Sequence, residues 1–499
     1  MFKLRINFII ITIFLLFLLI RLLITQNYVW GADEGTHLLI GFFIKDIISN
    51  LKNFDSIKDL ANFATNFVVK YPKVTPSYPP IYHIFIASIL FFSENIIVLR
   101  IFNIVILLLT SYIIYLISKE IIKDEKYSIL GIVIFLTFSS MFHYADKIMT
   151  DIIQILVFSL TIFYYIKLKN KKSTNKIEYI KLGVLLAVSM LTKFFSFFLY
   201  PIIFLDSILS NKKLLKYIIL AFVVSFIILS PYGFLVWKFK LYKLIVHIAT
   251  TPFGSKLRYF DLNLNFGYIL GPFVAISLIY FMLKNHKNYF YFIWLLIPMI
   301  TFMLFADSDN RFAFLLMPIY IISSVYSIKE LSNKYKKYNK IIFLIFFALI
   351  FAQTVINIKN NYIKERYPVN EIMNITKTGG NVLILSENPI FSSIYVLYGR
   401  INNIEGNVIR PCIFWENNLS KKLLNDWGIE YIIDQKNNMN KKELEIEKIF
   451  EGRANNEIFI LYKNKKFNNI DCNYICILKG ELCKNDGLNT VLELIKNIN

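Results

Sequence analysis

Runs of roughly 18 to 22 residues with almost no charge recur along this chain, and nothing else in it constrains the fold as tightly. At 1.5 Å per helical residue, such a run crosses a hydrocarbon core of about 30 Å. Inside that core each backbone N–H and C=O must be satisfied within its own segment, so the runs are expected to be helices. The candidate spans are 6–25, 98–118, 127–143, 150–167, 179–193, 195–209, 215–236, 266–283, 289–306, 312–328 and 340–358. They describe a polytopic α-helical membrane protein with about eleven transmembrane helices. Composition agrees: 56% of the residues are hydrophobic and 18% charged, against about 45–50% and 25% in soluble domains.

The net charge of +21 would point to nucleic acid in a soluble protein. Here much of the lysine lies in short loops between apolar runs, where it sets topology and faces anionic lipid head groups. No nucleic-acid partner is expected; membrane lipids are. Met1 to Arg5 is basic and the apolar run Ile6 to Ile20 follows, as in a signal peptide. No small-residue cleavage site comes after it, so it reads as an uncleaved first span starting in the cytoplasm.

One apolar piece, 81–92, is too short for a span and reads as a re-entrant or interfacial helix. Whether it crosses decides the orientation of everything after it, and the loop lysines answer. With 81–92 left out, the cytoplasmic loops hold Lys119, Lys123 and Lys126, then six lysines from Lys167 to Lys181. Lys212, Lys213 and Lys216, Lys284 and Lys287, and five more from Lys329 to Lys340 follow on the same side. The opposite short loops hold Lys147, Lys193 and Arg311; loop 237–265, with five cations, is the exception. Two long segments then face outward, a first loop (26–97) and the tail. The expected organisation is a membrane domain over 1–358 and an extracytoplasmic domain over 359–499.

The tail reads as a small α/β domain. Asn381 to Ser386, Ile429 to Asp434 and Ile458 to Tyr462 are short apolar runs of strand length. Polar stretches of helical pattern, Asn417 to Asp426 and Lys441 to Phe450, separate them, which predicts a partly parallel sheet. No Gly-rich phosphate loop opens its helices. All four cysteines, Cys412, Cys472, Cys476 and Cys483, lie here in no common zinc spacing. One or two disulfides or four unpaired thiols both fit an outward-facing tail.

Charges at membrane depth cost about 2.5–3.5 kcal/mol each on insertion scales, so those present need a reason. One cluster follows the first span, Trp30 to His37, with Asp33, Glu34 and His37. A helix is expected to begin near Glu34 with Asp33 at its N-cap, where capping alone would account for the carboxylate. A second cluster, His143 to Asp151, holds Asp146 and Asp151 at the start of a span; there the helix dipole offers the equally plain account. Two acidic clusters on one face could instead supply a base and a metal or acceptor site. Lys193, Arg100 and Arg311 sit at span ends, where they could snorkel to the interface or hold a phosphate. Between the clusters runs Tyr71 to His83, whose four prolines rule out a regular span.

The order of these features resembles the GT-C class of glycosyltransferases. Within it, the chain is similar to the branch of the dolichyl-phosphate-mannose protein mannosyltransferases and the lipid A aminoarabinose transferases. The matching pieces are Asp33-Glu34 after the first span, Pro79-Pro80-Ile81-Tyr82, Arg100, Thr150-Asp151 and Leu191-Thr192-Lys193. The resemblance implies a sugar donor on a polyprenyl (dolichyl or undecaprenyl) phosphate and an active site at the outer membrane face. The acceptor would be a hydroxyl of a lipid, glycan or protein. Asp33 would activate it, and Asp151 would be the second carboxylate, with Asp146 its rival. Lys193 and Arg100 would hold the phosphate, Glu34 and His37 would be supporting or acceptor contacts, and Tyr82 and Arg311 would complete the substrate site. A divalent cation, Mg or Mn, is left open, with Asp33 and Asp151 as its ligands if one binds. Oligosaccharyltransferases of the class carry a W-W-D-type motif that neither Phe414-Trp415-Glu416 nor Asp426-Trp427-Gly428 matches, so block transfer to Asn is not expected. The alternative from another class is a transporter or lipid-linked-sugar flippase. It should show internal repeats and ionisable sites at the midplane. The chain shows no repeat, and its unusual charges collect at one face.

Overall fold

The computed structural model describes residues 2–25, 32–70, 78–210, 212–238, 265–304 and 310–362. In the C-terminal region it describes 372, 374–375, 381–385, 397, 400, 408–409, 429–435, 446–454 and 457–464. The four cysteines, the stretch Asn417 to Asp426, the two tryptophan motifs, most of loop 237–265 and residues 71–77 lie outside the described residues. The chain divides into two compact units. One comprises Met1–Gln26, Ser77–Tyr82 and Leu99–Ile363; the other comprises Asn27–Pro76, His83–Val98 and Lys364–Asn499.

Among the described residues of the first unit, every regular element is a helix. Helix α1 (Phe2–Ile24) is followed by α5 (Ile96–Ile122), α9 (Thr150–Lys171), α10 (Lys176–Thr192), α11 (Leu199–Ser210) and α12 (Leu215–Lys238). Then come α13 (Leu270–Lys284), α14 (Tyr289–Leu304), α15 (Met317–Lys334) and α16 (Asn339–Tyr362). Six described helices are long and apolar enough to cross a membrane: Ile6–Ile24, Ile96–Ile122, Thr150–Lys171, Lys212–Trp237, Phe314–Lys334 and Lys336–Asn360. Four shorter apolar helices, among them Leu270–Lys284 and Tyr289–Thr301, join them. The protein is thus a multi-pass membrane protein. Where a glycine meets a neighbouring helix the backbones come close. A Cβ at Gly183 of α10 would lie 2.5 Å from the Ala221 carbonyl oxygen of α12, the small-residue packing that replaces a hydrophobic drive between helices in lipid.

The expected span 127–143 is not one helix. It is divided into α6 (Glu125–Ser128), α7 (Leu130–Thr137) and α8 (Ser139–Tyr144); the chain stays helical through Ile129, and the break comes at Phe138, whose ψ is 133°. The break frees backbone acceptors, and side chains from elsewhere meet them. Asn357 of α16 donates its amide to the Thr137 carbonyl at 2.7 Å. That is the condition under which non-helical backbone survives at membrane depth. Residues 195–209 likewise open with a 3-10 turn, Phe194–Phe198, before α11.

The second unit holds α2 (Ala32–Ser49), α3 (Ile57–Lys70), most of α4 (Ile81–Leu90) and a five-stranded sheet. Helix α2 starts at Ala32, two residues earlier than expected, since alanine is a strong helix former. Asp33 is therefore inside the first turn, where the helix dipole favours its charge, and not at the cap. The strands are β1 (Asn381–Leu385), β2 (Val408–Ile409), β3 (Ile429–Gln435), β4 (Ile446–Ala454) and β5 (Glu457–Asn464), in spatial order β2-β1-β3-β5-β4. Strand β1 pairs parallel with β2 and β3, while β5 pairs antiparallel with β3 and β4. The sheet is partly parallel, as expected. The helix expected over Lys441 to Phe450 is overturned from Ile446 onward by β4. Apolar residues at 446, 449 and 450 fit a helical stripe, but pairing with β5 satisfies the backbone of the segment, and tertiary context overrides propensity.

Candidate active site

Helix α9 begins with Thr150 and Asp151, after Met149 in an extended conformation with no side-chain cap. Asp151 is buried and receives the Lys193 ammonium on Oδ1 at 2.5 Å. Lys193 is the residue at which α10 ends; its backbone is extended (φ −160°, ψ 138°), and its N–H donates to the Ser189 carbonyl at 3.2 Å. The side chain is thereby turned back toward the start of α9. The Gln154 amide reaches the Ser196 hydroxyl at 3.5 Å, a second tie between the same two segments.

A second charged group lies just upstream. Asp146, buried in the turn between α8 and α9, accepts the Arg21 guanidinium at 2.6 Å and the Thr25 hydroxyl at 3.2 Å. Arg100 donates to the Asp146 backbone carbonyl at 2.8 Å, with its Nη1 3.8 Å from the carboxylate. Arg21 also donates to the Phe142 carbonyl at 2.9 Å, and its guanidinium lies 5.0 Å from the centre of the Phe142 ring. Burial pulls the Asp146 carboxyl upward, but Arg21 and Arg100 overcome it and hold the group below its ordinary range.

Three further residues converge on this turn. Tyr82 donates its hydroxyl to the Asn103 side-chain carbonyl at 3.3 Å, and Asn103 donates its amide to the Lys147 carbonyl at 2.9 Å. Arg311, in the 3-10 turn Asn310–Leu316, places Nη1 3.6 Å from the Met149 sulfur. Tyr82, Arg100, Asp146, Asp151, Lys193 and Arg311 thus gather around residues 146–151 and the first turn of α9.

The other expected residues lie in the second unit. Asp33 is half-buried and Glu34 buried, both in the first turn of α2, where the dipole favours their charge. His37, one turn on, is buried, and its Nδ1 lies 3.0 Å from Nε2 of the equally buried His83 on α4. One ring nitrogen of that pair must donate and the other accept.

Among the described residues no three His, Cys, Asp or Glu side chains gather as a metal site requires. The two carboxylates at this turn, Asp146 and Asp151, are met by arginine and lysine side chains.

Sequence reasoning passed over Arg21, His83 and Asp206. Each had a signal, being an ionisable residue within or beside an apolar run. Asp206 of α11 is fully buried, bound by Lys169 at 2.8 and 2.9 Å and by the Tyr165 hydroxyl at 2.6 Å. It pins α11 to the far end of α9.

Residues 77–237 match the family model of the dolichyl-phosphate-mannose-protein mannosyltransferases. The fold is similar to that of ArnT from Cupriavidus metallidurans in the apo state. TM-score is 0.64 and identity 10%, over 91% of this chain and 97% of that one. The same ArnT bound to undecaprenyl phosphate matches with a TM-score of 0.61, again at 10% identity over 91% and 97% of the two chains. No curated protein matches in sequence. Both positive comparisons agree with the GT-C resemblance carried by the order of the motifs, and the mannosyltransferase match contains Tyr82, Arg100, Asp146, Asp151 and Lys193.

Proposed function

We propose that this chain is a GT-C-class glycosyltransferase that moves a sugar from a polyprenyl phosphate to a hydroxyl acceptor at the outer membrane face. The observation that carries the reading is the Asp151–Lys193 pair, built from two segments inside the matched stretch. The ArnT structure with undecaprenyl phosphate bound supports a polyprenyl-phosphate donor. The sugar and the acceptor class are left to experiment.

As the donor's glycosidic C–O bond breaks, positive charge grows on the anomeric carbon and negative charge on the departing phosphate. A fixed cation at the leaving group lowers that barrier. Lys193 suits this role, because its side chain keeps 12% exposure, whereas those of Arg21 and Arg100 keep 3% and 0%. Asp151 orients the ammonium at the start of α9. Arg21 and Arg100 act on the site through their field and through the turn they fix. By resemblance, Asp33 takes the acceptor's proton as its oxygen attacks the anomeric carbon, with Glu34 and His37 supporting it.

The outer-face placement has support within the second unit. Most of the first loop and the C-terminal region belong to one unit, which fits an even number of crossings between them. That agrees with the lysine count, which puts the N-terminus in the cytoplasm and the tail outside. A topology reporter fused after Ile358 should read extracytoplasmic; a cytoplasmic reading would mean that the span count is wrong.

The catalytic assignment is tested in membranes supplied with polyprenyl-phosphate hexose, by following release of polyprenyl phosphate. Asp33→Asn should abolish release while the protein stays inserted at normal abundance. Undiminished release would sink the role given to Asp33.

A further inference from the structure

Helix α2 carries Asp33 and Glu34 in its first turn, and two neighbouring stripes of its surface are held from different directions. Residues 37, 41 and 45 stack one above another, and 42 and 46 lie on the adjacent stripe, about 100° round the helix. The first stripe meets α4 and the turn after it. His37 contacts His83, and Gly41 is so close to Ile86 that a Cβ there would lie 2.3 Å from the isoleucine methyl. Lys45 pairs with Glu94 at 2.5 Å.

The second stripe meets the C-terminal region. Arg400 donates Nη2 to both oxygens of Asp46, at 2.9 and 2.8 Å, and its guanidinium lies 4.9 Å from the centre of the Phe42 ring. Phe42 is buried, and the side chains of Arg400 and Asp46 keep only 14% and 20% exposure. A carboxylate and an aromatic face one turn apart form a socket for a planar guanidinium, which lysine would fill less well. The contact joins positions 354 residues apart.

We propose that Arg400 is a positioning residue, through which the C-terminal region holds α2 and so fixes where Asp33 and Glu34 are aimed. The proposal rests on the glycosyltransferase reading for its consequence in turnover, though not for the contact itself. It gives the tail a role in the reaction without any group of its own touching substrate. Glu34, Asp33 and the socket share one rigid helix, so a change at Asp46 or Phe42 is transmitted to the first turn as a tilt or a rotation.

The test uses the full-length protein in detergent, first without substrate. Hydrogen exchange over residues 32–49 should rise about tenfold in Arg400→Ala, with the membrane helices unchanged. Arg400→Lys should give a smaller rise, and the swap Asp46→Arg with Arg400→Asp should return exchange toward the wild type. Unchanged exchange over 32–49 in Arg400→Ala would overturn the proposal. If Arg400→Ala loses its fold altogether, Arg400→Lys decides: a rise confined to 32–49 supports the proposal, and none overturns it. With polyprenyl-phosphate hexose, Arg400→Ala should lower kcat about tenfold with the donor KM within about twofold, and the swap should recover it. Loosened exchange with normal kcat would also overturn the positioning role. A wild-type protein inactive on every such donor, with exchange behaving as stated, would count against the glycosyltransferase reading and leave the contact standing.

Discussion

Asp146 and Asp151 stand five residues apart at the start of α9, and their surroundings differ in kind. Asp146 is met by two arginines and a threonine hydroxyl, and both arginine side chains are sealed from solvent. Asp151 is met by Lys193, whose side chain still reaches solvent. Arginine presents a rigid planar fork that can satisfy a carboxylate and a carbonyl together, as Arg21 does with Asp146 and Phe142. Lysine is a compact charge on a flexible stem, able to turn from one partner to another. The first arrangement fixes a turn, and the second presents a movable cation beside it. Two carboxylates that look interchangeable along the chain therefore divide into one locked by two sealed arginines and one paired with a partly exposed lysine.

The comparison breaks if the two positions respond alike. Asp146→Asn leaves two buried arginines facing each other and should cost about 3–5 kcal/mol, the usual result of removing one partner from a buried ion pair. The measurement is the thermal midpoint and yield of purified protein, and a variant as stable as the wild type would deny Asp146 its structural role. Lys193→Met leaves the buried Asp151 carboxylate without its lysine and should lower the midpoint by less than Asp146→Asn does, since one cation is involved and not two, while lowering donor turnover about 10²–10³-fold, the scale seen when one group stabilising a developing anion is removed. A fall in stability equal to that of Asp146→Asn would collapse the distinction. The smallest effect is one of pH. Because the Asp146 carboxyl is held below its ordinary value, its stabilisation is fully present above about pH 4 and is lost as pH falls through the lowered value. Between pH 8 and 5 the midpoint should show no loss traceable to this pair. A loss in that window that disappears in Asp146→Asn would mean the carboxyl is raised instead.

Much of the fold is legible along the chain, and particular residues show why. Most of the apolar runs form helices at the expected places, because hydropathy adds up locally along a segment. The short runs at 381, 429 and 458 form β1, β3 and β5 for a similar reason, their apolar residues being strand-length and flanked by polar ones. The stretch after Lys441 misleads, since Ile446, Ile449 and Phe450 satisfy a helical stripe and only the presence of β5 alongside makes a strand. The span 127–143 misleads for the matching reason: the Asn357 amide that meets the Thr137 carbonyl comes from 220 positions away.

The chemistry-bearing residues follow the same rule. From the sequence alone come the class of molecule, the positions of its helices and the short roster of charges that a membrane protein would not carry without cause. Transfer energies fix those, and each residue contributes to them nearly independently of distant ones. Which charge meets which is decided by the tertiary structure alone. Asp146 takes Arg21 from 125 positions away, Asp151 takes Lys193 from 42, and Asp46 takes Arg400 from 354. Ion pairing depends on separations of a few ångströms, and those exist only once helices far apart in the chain have packed side by side.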